Sequence, residues 1–151
     1  MKIAILVDGG YYRKRSSLIF GHETAKVSAE RLYSYCNRHL VEKIFKKQVI
    51  HDLYKIFYYD CPPVDKLIFH PALQKTIDFG NSDTKSWTID FFNELSHKRK
   101  IALRLGEFSE SSAHFNLKHK YTKQLLNGKL SVEDLEEKHF ALNLQQKGVD
   151  M

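Results

Sequence analysis

The chain has 151 residues, a formal net charge of +6 with histidine neutral, and a pI near 9.2. Hydrophobic residues make up 42% and charged residues 28%, which excludes a disordered chain and suits one domain with a real core. No apolar run approaches the roughly 20 residues of a membrane span. Cys36 and Cys61 alone cannot build a disulfide framework or a CxxC-type zinc site, so a reducing cytoplasm is the expected compartment.

The first element is the apolar run Ile3–Val7, read as a strand that ends at Asp8-Gly9-Gly10. Continuous rather than alternating hydrophobicity is the pattern of a strand buried on both faces. The two glycines allow a sharp turn and close approach of a ligand to the backbone. A long helix is expected over about 28–47, with Ser28 as its N-cap and Leu32, Tyr35, Cys36, Leu40, Ile44 and Phe45 near helical spacing. Tyr54–Tyr59 is the next strand, stopped by Asp60-Cys61-Pro62-Pro63 because neither proline can donate to a ladder.

Residues 64–86 read as a loop-rich excursion with at most one short helix. A helix follows from Thr84 to His97, with Trp87, Phe91 and Leu95 at four-residue intervals. Ile101–Leu105 is the third strand, closed by Gly106. Ser111–Tyr121 reads as an edge strand, and Ser131–Glu137 as a short capped helix. Strand, helix, strand, helix, strand is the order of an α/β domain with a parallel sheet, in which ligands bind beyond the carboxyl ends of the strands.

Asp8 stands at such an end. A carboxylate at a strand tip followed by glycines suits a hard cation that keeps waters and substrate phosphate in its shell; the plainer reading is a turn aspartate bonded to its own loop. Asp150, in Lys147-Gly148-Val149-Asp150, is a second acid, and its plain reading is a solvated tail. Asp60 is a third, read as a cap for the proline turn. Tyr11-Tyr12-Arg13-Lys14-Arg15 sets aromatics beside cations, a combination that stacks bases and contacts phosphates, against the plain reading of a solvated basic helix start. Lys98-Arg99-Lys100 and Lys118-His119-Lys120 read as surface charge. The eight histidines have no HxxxH or HExxH spacing, no Gly-rich nucleotide loop or nucleophile elbow occurs, and Cys36 reads as core.

Taken together, three segments resemble the NYN domain family, which is related to PIN-type nucleases: Ile3–Tyr12, Phe57–Pro63, and Gln146–Met151 with its lysine-glycine-valine-aspartate motif. The resemblance spans nearly the whole chain as a single domain, 1–151. It implies a Rossmann-like three-layer parallel sheet of PIN/NYN type, incomplete at the C-terminus, with an acidic Mg2+ or Mn2+ site. Asp8 matches the first-strand acid and Asp150 the acid of the later motif; Asp60 matches no catalytic position. Tyr11 and Tyr12 occupy the stretch where the family often has an asparagine. The family continues past the later motif into a helix and a strand with further acids, whereas this sequence ends at Met151, so a fragment of a longer protein is expected.

The resemblance implies a metal-dependent ribonuclease that hydrolyses RNA phosphodiester bonds. Asp8 and Asp150 would serve as catalytic metal ligands, Arg13, Lys14, Arg15 and Lys147 as phosphate contacts, and Tyr11 or Tyr12 as a base-stacking platform. Two alternatives remain at this point. One is a non-catalytic RNA-binding or partner-binding module with an incomplete site. The other is a regulatory protein whose sheet is completed by another chain, the partner being that chain or, in a homo-oligomer, a second copy. No membrane partner is expected.

Overall fold

The computed structural model describes residues 1–109 and 113–149 and is a mixed α/β fold. Its centre is a three-stranded parallel sheet of order β1-β4-β7, formed by β1 (Lys2–Asp8), β4 (Asp52–Asp60) and β7 (Ile101–Leu105). The register aligns Ile5 with Ile56 and Ile101, and Val7 with Tyr58 and Leu103. Between β1 and β4 run α1 (Gly9–Phe20), α2 (Ala25–Arg38) and the hairpin β2 (Val41–Ile44)/β3 (Lys47–Ile50). Between β4 and β7 run the hairpin β5 (Leu67–His70)/β6 (Lys75–Asp78) and α3 (Asp83–Ser96).

The core lies on one face of the sheet. Helix α2 turns Ala29, Leu32 and Cys36 inward, and α3 turns Thr88, Phe91, Phe92 and Leu95 inward, the helical repeat their sequences carry. They close on Leu53, Ile56 and Tyr58. The Tyr58 ring meets Phe91 edge-on at 5.7 Å, and Trp87 stacks on Phe91 at 5.1 Å. Tyr12 of α1 joins this cluster. The opposite face of β1 presents Ala4 and Leu6 to solvent, Leu6 being 54% exposed. The expected burial of β1 on both faces is therefore corrected: β1 ends the strand order, and the core helices pack on its Ile3-Ile5-Val7 side alone.

Three further expectations are corrected. The helix expected over 28–47 starts at Ala25, capped by the Thr24 hydroxyl, and ends at Arg38. Ser28 lies buried inside it, and residues 41–50 form the β2/β3 hairpin instead. Val41, Ile44, Val49 and Ile50 are β-branched and favour strand, which outweighs the helical spacing of Leu40, Ile44 and Phe45. Residues 64–86 hold the β5/β6 hairpin in place of a short helix. The edge strand expected over 111–121 is β9 (His114–Leu117), and it gives way to α4 (His119–Leu126).

Around β5 and β9 a second, smaller cluster forms. β9 pairs with β10 (Phe140–Asn143), and buried His70 rests against Phe115 at 4.3 Å and Phe140 at 5.5 Å. The short strands β8 (Glu107–Phe108) and β11 (Gln146–Lys147) then bring the tail back to the sheet. The short capped helix expected over Ser131–Glu137 is a 3₁₀ turn at Val132–Asp134, where the Ser131 hydroxyl donates to Asp134 Oδ2 at 2.7 Å.

Candidate functional site at the carboxyl edge of the sheet

The three central strands all end on one edge, at Asp8, Asp60 and Leu105. Asp8 closes β1 and is also the N-cap of α1: its Oδ1 accepts from the Tyr11 N–H at 2.9 Å. The cap satisfies one of the helix's first free N–H groups, and the helix dipole favours the negative charge there. Asp8 is exposed, and its Oδ2 has no protein partner among the described residues.

Asp60 has the opposite character. It is 4% exposed and fully engaged. Its Oδ1 accepts from Arg13 Nη2 at 2.8 Å and from the Cys61 N–H at 2.8 Å, and its Oδ2 accepts from the Tyr58 hydroxyl at 3.0 Å. Arg13 also reaches Thr88 Oγ1 at 3.4 Å, so one guanidinium ties α1 to β4 and α3. Burial, then the Asp60 carboxylate, push the Tyr58 hydroxyl far above its ordinary pKa, and the same causes in the same order raise the Cys61 thiol. Both groups therefore stay protonated, which is what Tyr58 needs to donate to Asp60. Asp60 does cap its turn, as expected, but its ion pair with Arg13 joins residues far apart in sequence and has no local motif. The available signal was chemical: a carboxylate on a strand running into the core requires a cation.

Two glycines allow these parts to close. A Cβ at Gly9 would fall 2.5 Å from the Tyr58 hydroxyl and 2.6 Å from Asp60 Oδ2. At Gly106, just past β7, a Cβ would run into the Lys147 carbonyl, and the Val149 side chain stands beside the same spot. The segment Lys147-Gly148-Val149 thus lies against the carboxyl end of β7, two strands or roughly 10 Å across the sheet from β1. Asp150 itself lies outside the described residues.

The remaining candidates divide. Tyr11 is 66% exposed next to Asp8. Tyr12 is half-buried, and its hydroxyl donates to the Ser28 carbonyl at 3.0 Å. Lys14, Arg15 and Lys147 are exposed. A cleft of about 630 Å³ runs along β1 from Leu6 and Asp8, past Tyr11 and Arg15, to Ile19 and Tyr35. Sequence reasoning missed this cleft because α1 has no apolar stripe to mark it.

Magnesium commonly needs one or two protein carboxylates and fills its shell with water and phosphate. Asp8, with one oxygen fixed by a backbone N–H and the other free, fits that requirement; Asp60, with both oxygens engaged, does not. Among the described residues no three His, Cys, Asp or Glu side chains gather as a metal site, and no helix is long and apolar enough to cross a membrane. Comparison with protein-family models, with curated proteins and with solved structures gave no match to this chain.

Proposed function

We propose that the chain is a metal-dependent ribonuclease on a Rossmann-like sheet of PIN/NYN type. The observation that carries the reading is the exposed Asp8 carboxylate, with Oδ1 held by the Tyr11 N–H and Oδ2 free among the described residues, at the carboxyl edge of a parallel sheet, the edge that Lys147–Val149 also reaches. Asp8 and the described part of the lysine-glycine-valine-aspartate segment, Lys147–Val149, therefore approach one edge, where α/β sheets bind ligands.

Asp8 and Asp150 are the residues that would hold Mg2+ or Mn2+. Such an ion, when bound, activates water and stabilises charge on the scissile phosphate. The chain's own contribution is orientation. The Tyr11 N–H and the end of β1 hold the Asp8 carboxylate in place. Tyr11 offers an exposed ring for a base, and Lys14, Arg15 and Lys147 offer cations for phosphates. Arg13 and Tyr12 are committed to Asp60 and Ser28, so they support the site and leave RNA contacts to their neighbours. The test is metal-dependent cleavage of single-stranded RNA by the chain and by Asp8→Asn.

A second reading, RNA binding without cleavage, is favoured by the state of Asp60. Both its oxygens serve the fold, so among the described residues Asp8 is the only acid ending a strand of the central sheet that is left to a metal. Salt-sensitive binding with no turnover under either metal would establish it.

A further inference from the structure

The β2/β3 hairpin stands apart from the core, and its tip breaks the usual rule for such turns. The strands pair Val41 with Ile50, Glu42 with Val49, Lys43 with Gln48 and Ile44 with Lys47, leaving a two-residue loop of Phe45 and Lys46. Both loop residues have positive φ, 45° and 66°. That geometry suits hairpin twist, but it is the conformation for which Asn-Gly is preferred and bulky side chains are disfavoured. Folding alone would choose Asn-Gly. The chain instead sets a phenylalanine there, 97% exposed, beside a lysine.

The charge around it has one sign. Lys43 and Lys47 flank the tip on opposite faces of the hairpin and Lys46 sits in the turn, all exposed. None of the three is paired with a carboxylate among the described residues. The hairpin's one acid, Glu42, bonds His51 at 3.0 Å, at the base of the hairpin.

We infer that this hairpin is a binding finger for single-stranded RNA. Phe45 stacks on a base, and Lys43, Lys46 and Lys47 contact the neighbouring phosphates. An aromatic platform among cations is what sequence-tolerant single-strand binding requires, since every base has a π-face and every linkage a charge. A membrane surface fits less well. Phe45 is the one apolar side chain beyond the Ile44–Lys47 pair, and sinking it would draw Lys46 and Lys47 in with it. The choice of RNA as the polynucleotide rests on the function proposed above; the finger itself does not depend on cleavage.

The experiment is a fluorescence-anisotropy titration of a labelled oligouridylate of about 12 nucleotides, in EDTA so that nothing is cleaved. Phe45→Ala weakens binding about 10-fold. Lys43→Gln and Lys47→Gln each lower the slope of log K against log salt by roughly 0.7. The decisive variant is Phe45→Asn with Lys46→Gly, which gives the turn its preferred residues. It raises Tm while weakening binding at least as much as Phe45→Ala, so lost affinity cannot be lost folding. Binding by the double variant within about twofold of the parent would overturn the inference. So would a parent that binds no oligouridylate, or one that loses binding to phosphatidylserine vesicles but not to RNA on the same substitution. Failure here with cleavage intact removes only the finger. Binding intact with no cleavage removes only the nuclease reading.

Discussion

The guanidinium of Arg13 lies 2.8 Å from the carboxylate of buried Asp60, and this one pair joins the start of α1 to the end of β4. Arg13→Met leaves Asp60 charged and without its cation inside the fold. We expect a loss of about 3 kcal/mol in urea denaturation, with part of it recovered by adding Asp60→Asn. A loss below about 1 kcal/mol, the worth of an exposed pair, would contradict this account of the site.

Gly9 and Gly10 are adjacent in α1 but opposite in consequence. Gly9→Ala drives a methyl into the Tyr58 hydroxyl and Asp60 Oδ2, whereas the nearest atom to a Cβ at Gly10 is 3.6 Å away. Gly9→Ala should destabilise by about 1–3 kcal/mol despite its better helix propensity. Gly10→Ala should stabilise by up to about 1 kcal/mol. Thermal melts of the two variants that moved in the same direction would refute the packing described here.

Much of this arrangement was legible in the sequence, and what was not has identifiable causes. The strands at Ile3–Val7, Tyr54–Tyr59 and Ile101–Leu105 declare themselves as apolar runs of strand-favouring residues, and the helix stripe Trp87-Phe91-Leu95 by its four-residue repeat, although the one-sided burial of β1 does not show in its continuous run. Helix α1 does not: it opens on two glycines, buries only Gly9 and Ser16, and leaves Leu18, Ile19 and Phe20 exposed. The β2/β3 hairpin was hidden because Leu40 and Ile44 continue the phase of Leu32 and Cys36. At the site, Asp8 could be found from its strand and glycines. The commitment of Arg13 to Asp60 could not, since 47 residues separate them and the fold brings them together.

Cys36 reports the closed state of the core. Burial pushes its thiol up to about 11 from 9.0. The folded state therefore holds a proton that the unfolded state releases as pH rises above 9. This contribution is complete below pH 9 and is lost toward pH 11, at about 1.4 kcal/mol per pH unit in that window. Urea denaturation from pH 8 upward should show this extra decline in the parent and not in Cys36→Ala. Equal slopes in both would contradict it. Neither cysteine should react with a thiol reagent at pH 8 until the protein is unfolded, both being buried.

Asp8 carries two roles that substitution can separate. Asp8→Ala removes the cap on α1 and should cost about 1 kcal/mol in a urea melt, whereas Asp8→Asn keeps a capping oxygen and should cost far less. Equal losses would show that charge rather than the hydrogen bond supports the helix start.

The central claim, that Asp8 serves metal-dependent RNA cleavage, is tested most directly by following end-labelled single-stranded RNA with Mg2+ or Mn2+ in parallel for the parent and Asp8→Asn. The account predicts metal-dependent products from the parent and none from Asp8→Asn, with the two proteins equally folded. Cleavage that persists in Asp8→Asn, or no cleavage by the parent under either metal, would contradict it.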